Sequence, residues 1–201
     1  MNVWRNEQGS VGTVLLLILI PLFLIGIVLT TEHPRLVHGS DIDLQQAVVD
    51  ATRAAAMCVN EASQAHGTPR INPDRAHEVF RRILASNLQL HEITLEPLTH
   101  SGVREAPSYV LVVYNGDDLF TPGAKAYYLS DSFSQELLPF DGLPKTFSVN
   151  SDGITYGSDG RAVTFNEPGC IAFVKSPLKP AISNRAPDAN RWAAATIKTN
   201  F

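Results

Sequence analysis

Apolar and polar positions divide this chain into one uncharged stretch near the N-terminus and a longer part in which the two kinds of position alternate. From Gln8 to Thr31 no residue is Asp, Glu, Lys, Arg or His, and the run from Val11 to Leu29 is almost entirely apolar. As a helix, these 19 residues would be about 28 Å long, which is close to the roughly 30 Å of a bilayer's hydrocarbon core. The pattern therefore predicts a long hydrophobic helix within residues 1–31, shielded by a membrane or by other helices. Its residues are Val11, Val14, Leu15, Leu16, Leu17, Ile18, Leu19, Ile20, Pro21, Leu22, Phe23, Leu24, Ile25, Ile27, Val28 and Leu29.

A secretory signal peptide is the competing interpretation of this stretch. Its apolar region is usually about 7–15 residues long and is followed by a small-x-small cleavage site. The run here is longer, and no such site follows it closely. A retained helix followed by a long domain indicates that the domain lies outside the cytoplasm, because long domains are translocated largely regardless of their charge.

Residues 32–40 are predicted to form a linker before a globular domain over 41–201. Pro34 disfavours a helix at this point, and Gly39 favours a turn. After the linker, Ser40 or Asp41 is suited to cap a helix over about 41–62. Apolar residues recur in this helix at spacings of four and three positions, which is typical of one buried face. They are Leu44, Val48, Ala51, Ala55 and Cys58.

The rest of the domain predicts a second helix and then a sheet. Asn72, Pro73 and Asp74 provide a cap, a first-turn proline and a first-turn acid for a helix that runs to about residue 88. β-branched and aromatic residues follow in short runs separated by turn residues. The predicted fold class is therefore α+β: a long N-terminal hydrophobic helix, then a domain with two helices and a mostly antiparallel β-sheet. Strands are predicted over 90–95, 108–114, 124–129, 145–149, 154–156, 162–165 and 171–174, with 108–114 central, and a short helical end near 190–197.

Charge and motifs exclude several classes of function. With 20 acidic and 16 basic residues, the chain has a net charge of −4, which makes nucleic acid a poor partner. The histidines are scattered, and the dipeptide His77-Glu78 is predicted to lie on a helix surface. The segment from Asn150 to Asp159 is predicted to form turns rather than a calcium loop. Because no catalytic, phosphate-binding or metal-binding motif is present, we expect no enzyme activity, cofactor, metal or small-molecule substrate.

The two cysteines, Cys58 and Cys170, leave two interpretations open. In an exported domain they are the minimum for one disulfide, which would connect an early helix to a late strand. Alternatively, both are buried free thiols that act as small apolar side chains.

The N-terminal 60 residues or so resemble the TadE/TadG-like group of pilus-associated proteins, which belong to the wider set of type IV pilin-like proteins. The matching features are a short charged tail with a Gly-Ser step, a proline within an apolar run, and an alanine-rich helix with an early Leu-Gln. Where the group usually has a Glu shortly after the Gly-Ser step, this chain has Val14. The matching residues are Arg5 to Val11, Pro21, Asp43 to Ala47, Asp50-Ala51 and Ala54 to Ala56.

This resemblance implies a structural subunit of a bacterial surface filament, the pilus, or of its assembly apparatus. Its hydrophobic helix would lie in the membrane before assembly and in the filament core afterwards, in contact with copies of itself or with other pilins. The expected location is the bacterial cell membrane and the extracellular filament. The alternative is a single-pass membrane-anchored domain outside the cytoplasm that serves as a binding or sensory module.

Overall fold

A computed structural model describes residues 8–130, 132–158, 160–179 and 188–197. These residues form three helices and eight strands. The helices are α1 (Gln8–Ala56), α2 (Glu61–Ala65) and α3 (Pro73–Leu88). The strands are β1 (Ser108–Tyr114), β2 (Ala124–Ser130), β3 (Ser132–Leu137), β4 (Lys145–Asn150), β5 (Gly153–Tyr156), β6 (Arg161–Phe165), β7 (Gly169–Pro177) and β8 (Asp188–Thr196).

The strands form two antiparallel sheets. The large sheet has the order β3-β2-β1-β7-β8, and the small sheet has the order β5-β4-β6. Helices α1 and α3 cover one face of the large sheet and enclose the first core, which includes Leu44, Phe80 and Leu111. The small sheet covers the other face and encloses a second core around Tyr114 and Phe147. The domain is therefore built in three layers: helices, large sheet and small sheet.

The prediction of a long hydrophobic N-terminal helix, followed by a domain with two helices and one mostly antiparallel sheet, is wrong. The chain is α+β with antiparallel sheets, but the apolar run belongs to α1, whose C-terminal part packs in the domain core. Within the described residues, no helix combines the length and apolar content that crossing a bilayer requires. The linker predicted over 32–40 is helical instead. Extending a helix costs far less than starting one, and Pro34 removes only one backbone hydrogen bond from it.

Helix α3 confirms the second predicted helix. The Asn72 side chain accepts a hydrogen bond from the Arg75 backbone N–H at 3.2 Å, and Pro73 occupies the first turn. The helix ends at Gln89, whose φ of 55° is left-handed, a conformation that stops a helix while its backbone N–H still reaches the last turn. Because these signals are local, they could be read correctly from the sequence.

Six of the seven strand predictions are confirmed, by β1, β2, β4, β5, β6 and β7, and the prediction over 90–95 is wrong. Strand β1 is the central strand of the large sheet, as predicted. Residues 90–95 are not a strand; Leu90 makes only an isolated bridge with Pro97. The short helix predicted near 190–197 is strand β8, which pairs with β7 along nine residue pairs. The alternating pattern of β8 is weak because its side chains are mostly small, so its strand conformation depends on this pairing.

Ser176 in β7 gives a stability prediction for the first core. Its side chain is fully buried, and its hydroxyl has no hydrogen-bond partner among the described residues. We expect Ser176→Ala to raise the free energy of unfolding by about 1 kcal/mol, because burying an unpaired hydroxyl is unfavourable. The measurement is urea unfolding followed by circular dichroism.

The matched variant is Ser101→Ala. The Ser101 hydroxyl is also buried, but it donates a hydrogen bond to the Leu88 carbonyl at 2.6 Å. Removing this hydroxyl leaves a carbonyl unpaired, so we expect Ser101→Ala to lower stability by about 1–2 kcal/mol. Equal losses in both variants would contradict the difference in pairing.

Candidate assembly surface on helix α1

The most unusual surface of the molecule is an exposed apolar segment of α1, residues 14–27, which we call the apolar segment. Every residue in it is exposed, and its large apolar side chains are 47–71% accessible. They point in all directions around the helix axis, because they occupy nearly every position in four helical turns. A helix that is apolar on all sides is normally surrounded on all sides.

The same helix is held firmly at its other end. Leu44, Val48 and Ala51 are fully buried against α3, β7 and β8. The Gln45 side-chain amide donates to the Trp192 carbonyl of β8 at 3.4 Å. The C-terminal part of α1 therefore supplies core residues to the domain, whereas the apolar segment nearer its N-terminus remains uncovered.

Other exposed apolar side chains in the described residues are scattered. Met57, Ile93, Leu119 and Leu137 are each 70–76% accessible, but they lie on separate loops and strand ends. Single exposed apolar residues are normal on protein surfaces, whereas a large contiguous patch indicates an interaction site. The apolar segment is the feature that meets this description.

The structure places most of the predicted hydrophobic-helix residues in this segment. Val14 to Ile27 are described and exposed, and they include Pro21. The side chains of Val11, Val28 and Leu29 lie outside those that the structure describes. The predicted residues thus share one helix, and those with described side chains, Val14 to Ile27, are not covered by any described element of the domain.

Of the two interpretations left open for Cys58 and Cys170, the structure agrees with the second and not with the disulfide: both cysteines are free and buried. The Cys58 thiol, just after α1, donates to the Ala54 carbonyl at 3.4 Å, and Cys170 is enclosed in β7. Burial raises the pKa of both thiols, so neither is poised as a nucleophilic thiolate. Both belong to the first core and act there as small apolar side chains.

Two polar clusters support the fold. Asn115 is fully buried and exchanges hydrogen bonds with the Ile71 backbone, accepting from its N–H at 2.8 Å and donating to its carbonyl at 2.9 Å. Beside it, the Arg70 guanidinium forms a bidentate ion pair with Asp117. This ion pair, through its hydrogen bonds, lowers the pKa of the Asp117 carboxyl. Together they attach the loop before α3 to the loop between β1 and β2.

The second cluster surrounds His77, for which the prediction of a surface position was wrong. His77 is only 7% exposed and lies between α3 and the large sheet. Its spacing of three positions to Phe80 and seven to Leu84 places it on the buried stripe of α3. This spacing is the signal from which its burial could have been predicted.

The described residues carry surface clefts but no cluster of metal ligands. They hold no group of three or more His, Cys, Asp or Glu side chains that could bind a metal. One cleft of about 260 Å³ lies beside Arg70 and Glu167, and another of about 370 Å³ lies beside Ser108, Asp152 and Lys175. Neither is lined by a histidine or cysteine that could serve as a base or thiol nucleophile. The Asn150 side chain accepts from the Asp152 backbone N–H at 3.0 Å, as expected for a turn; Asp159 lies outside the described residues.

Comparison of the chain with protein-family models, with curated proteins and with solved structures found no match in any of the three.

Proposed function

We propose that this chain is a structural, pilin-like subunit of a bacterial surface filament or of its assembly apparatus. The apolar segment of α1 would be buried among the equivalent segments of other copies, while the α+β domain faces outward. The observation that carries this proposal is an all-round apolar surface on a helix whose other part is built into a folded domain. The resemblance of the first 60 residues to pilus-associated proteins supports the same assignment.

The energetics favour burial by association. Completing the burial of a large apolar side chain is worth on the order of 1 kcal/mol or more, and the segment has 12 such side chains. Their summed gain, on the order of 12 kcal/mol or more for each copy, is of the size needed to offset the roughly 4–15 kcal/mol that association costs in lost translational and rotational freedom. Repeated contacts between identical subunits that do not close into a ring produce helical polymers. We therefore expect association through the apolar segment to produce an extended filament.

The proposal predicts that Leu17→Asp and Ile25→Asp abolish assembly. An aspartate among packed apolar side chains leaves a buried charge without a partner, at a cost of several kcal/mol. Both side chains are exposed in the single chain, at 69% and 58%, so the domain itself should fold normally. The measurement is electron microscopy and mass spectrometry of the fraction sheared from cells that express each variant.

Matched controls are Ile93→Asp and Leu119→Asp. These side chains are 76% and 72% exposed but lie outside the apolar segment. We expect the control variants to assemble like the original chain. The proposal is contradicted if the original chain never occurs in filaments, or if all four variants assemble equally well. Recovery only as dispersed copies with the membrane fraction would instead support the anchored binding or sensory module.

A further inference from the structure

The cluster around His77 is held by specific hydrogen bonds and a ring stack in addition to apolar packing. The imidazole stacks on the Tyr127 ring of β2 at 4.1 Å, with 12° between the ring planes. Its Nε2 lies 2.6 Å from the Tyr109 hydroxyl of β1. The Tyr127 hydroxyl donates to Asp74 at 2.8 Å, and the Lys125 ammonium donates to the same oxygen at 2.7 Å. Through these contacts one side chain of α3 touches two strands of the large sheet.

The surroundings are unfavourable for a charged imidazole. The titratable groups that face His77 are Asp74 and Arg81 of α3, Tyr109 of β1, and Lys125 and Tyr127 of β2. Two of them are cations, and the carboxylate of Asp74 already accepts from Lys125 and Tyr127. Because burial raises the pKa of Tyr109, its hydroxyl stays neutral and offers no negative charge. A proton on His77 would therefore create a buried cation beside two other cations, and the nearby carboxylate of Asp74 offsets this only in part.

We propose that the His77 cluster is an acid-sensitive contact, which holds α3 on the large sheet while His77 is neutral and weakens when His77 is protonated. The contact lies where α3 meets β1, next to Phe80, whose ring centroid is 5.2 Å from that of Tyr109. Opening it would expose the α3 side of the first core. This inference does not depend on the filament proposal.

The direction of the pH effect follows from the two states of the contact. Burial, followed by the charge of Arg81, lowers the pKa of His77 from 6.5 to about 4 when the contact is closed. Above pH 6.5 the imidazole is mostly neutral in both the closed and the open state, so a change of pH there does not shift the equilibrium between them. As the pH falls from 6.5 to 4, the open state binds a proton that the closed state does not. The equilibrium constant for opening should then rise by roughly 70-fold between pH 7.5 and pH 4.5.

The test is hydrogen exchange of the full chain in mild detergent at pH 7.5 and pH 4.5, with rates normalised to those of an unstructured peptide. We expect the equilibrium constant for opening of α3 to be higher at pH 4.5 than at pH 7.5, by up to roughly 70-fold. His77→Gln cannot gain the proton, and its α3 should open equally at both pH values. The control His100→Gln, at an exposed position, should behave like the original chain.

Two results would overturn the proposal. One is an α3 opening equilibrium in the original chain that does not change between the two pH values. The other is a His77→Gln variant that responds to acid as strongly as the original chain. If His77→Gln fails to fold, an NMR titration of His77 in the original chain replaces it: titration below pH 5 supports the proposal, and titration near 6.5 overturns it.

Discussion

Asn115→Ala should lower the free energy of unfolding by about 2–4 kcal/mol. The Asn115 side chain accepts from the Ile71 N–H, and its two amide hydrogens are shared among the carbonyls of Ile71 and Pro122 and the Thr121 hydroxyl. Both Asn115 and Ile71 are fully buried. The truncation leaves the Ile71 N–H without its partner in a region closed to water, which costs about 1–3 kcal/mol. The Ile71 carbonyl loses one of its two donors, at a further cost of about 1 kcal/mol, and still accepts from the Thr121 hydroxyl at 3.2 Å. The measurement is equilibrium urea unfolding.

The control for this variant is Asn190→Ala in β8, where the side chain is exposed. Surface substitutions of this kind usually change stability by less than about 0.5 kcal/mol. Similar losses for Asn115→Ala and Asn190→Ala would show that the buried hydrogen bonds contribute little. A small loss for Asn115→Ala alone would mean that water or a rearranged loop replaces the lost amide.

Phe147→Ala should cost about 3–5 kcal/mol, as expected for truncating a buried aromatic residue. Phe147 is 1% exposed and contacts the rings of Tyr114, Tyr156 and Phe165 at centroid distances of 5.3–5.4 Å. It belongs to β4, the middle strand of the small sheet. Its loss removes the centre of the second core, so we expect the small sheet to separate from the large sheet before the first core unfolds.

Hydrogen exchange with peptide-level resolution can detect this order of events. Amides of β4, β5 and β6 should exchange faster in Phe147→Ala, while those of α3 and β7 change much less. The control is Leu137→Ala, because Leu137 is 70% exposed and contributes little buried surface. Uniform acceleration across the whole domain would mean that the two cores unfold as one unit.

The success of prediction from sequence depended on whether the signal was local. Asn72 and Pro73 define the start of α3 within three residues, and the β-branched run in β1 identifies a strand without outside information. By contrast, β8 is a strand because it pairs with β7, and its small side chains carry little pattern of their own. The junction near Pro34 was misread because one proline does not stop a helix that is supported on both sides.

The candidate site was partly predictable for the same reason. An uncharged run is visible in the sequence, so the residues of the apolar segment could be named. Whether another element of the domain covers them depends on contacts between distant parts of the chain, which no local pattern contains. The state of Cys58 and Cys170 also depends on such contacts, whereas the burial of His77 was already indicated by its spacing to Phe80 and Leu84.

The pairing of α1 with the last described strands has a consequence for synthesis. The buried face of α1 packs against β7 and β8, which lie more than 100 residues further along the chain and emerge from the ribosome much later. Until then the first core cannot close, and contacts between such distant segments form slowly. The nascent chain therefore exposes two apolar surfaces on α1: the apolar segment and the face that later packs in the first core. A chaperone, or the partners that finally cover these surfaces, must protect the chain from aggregation.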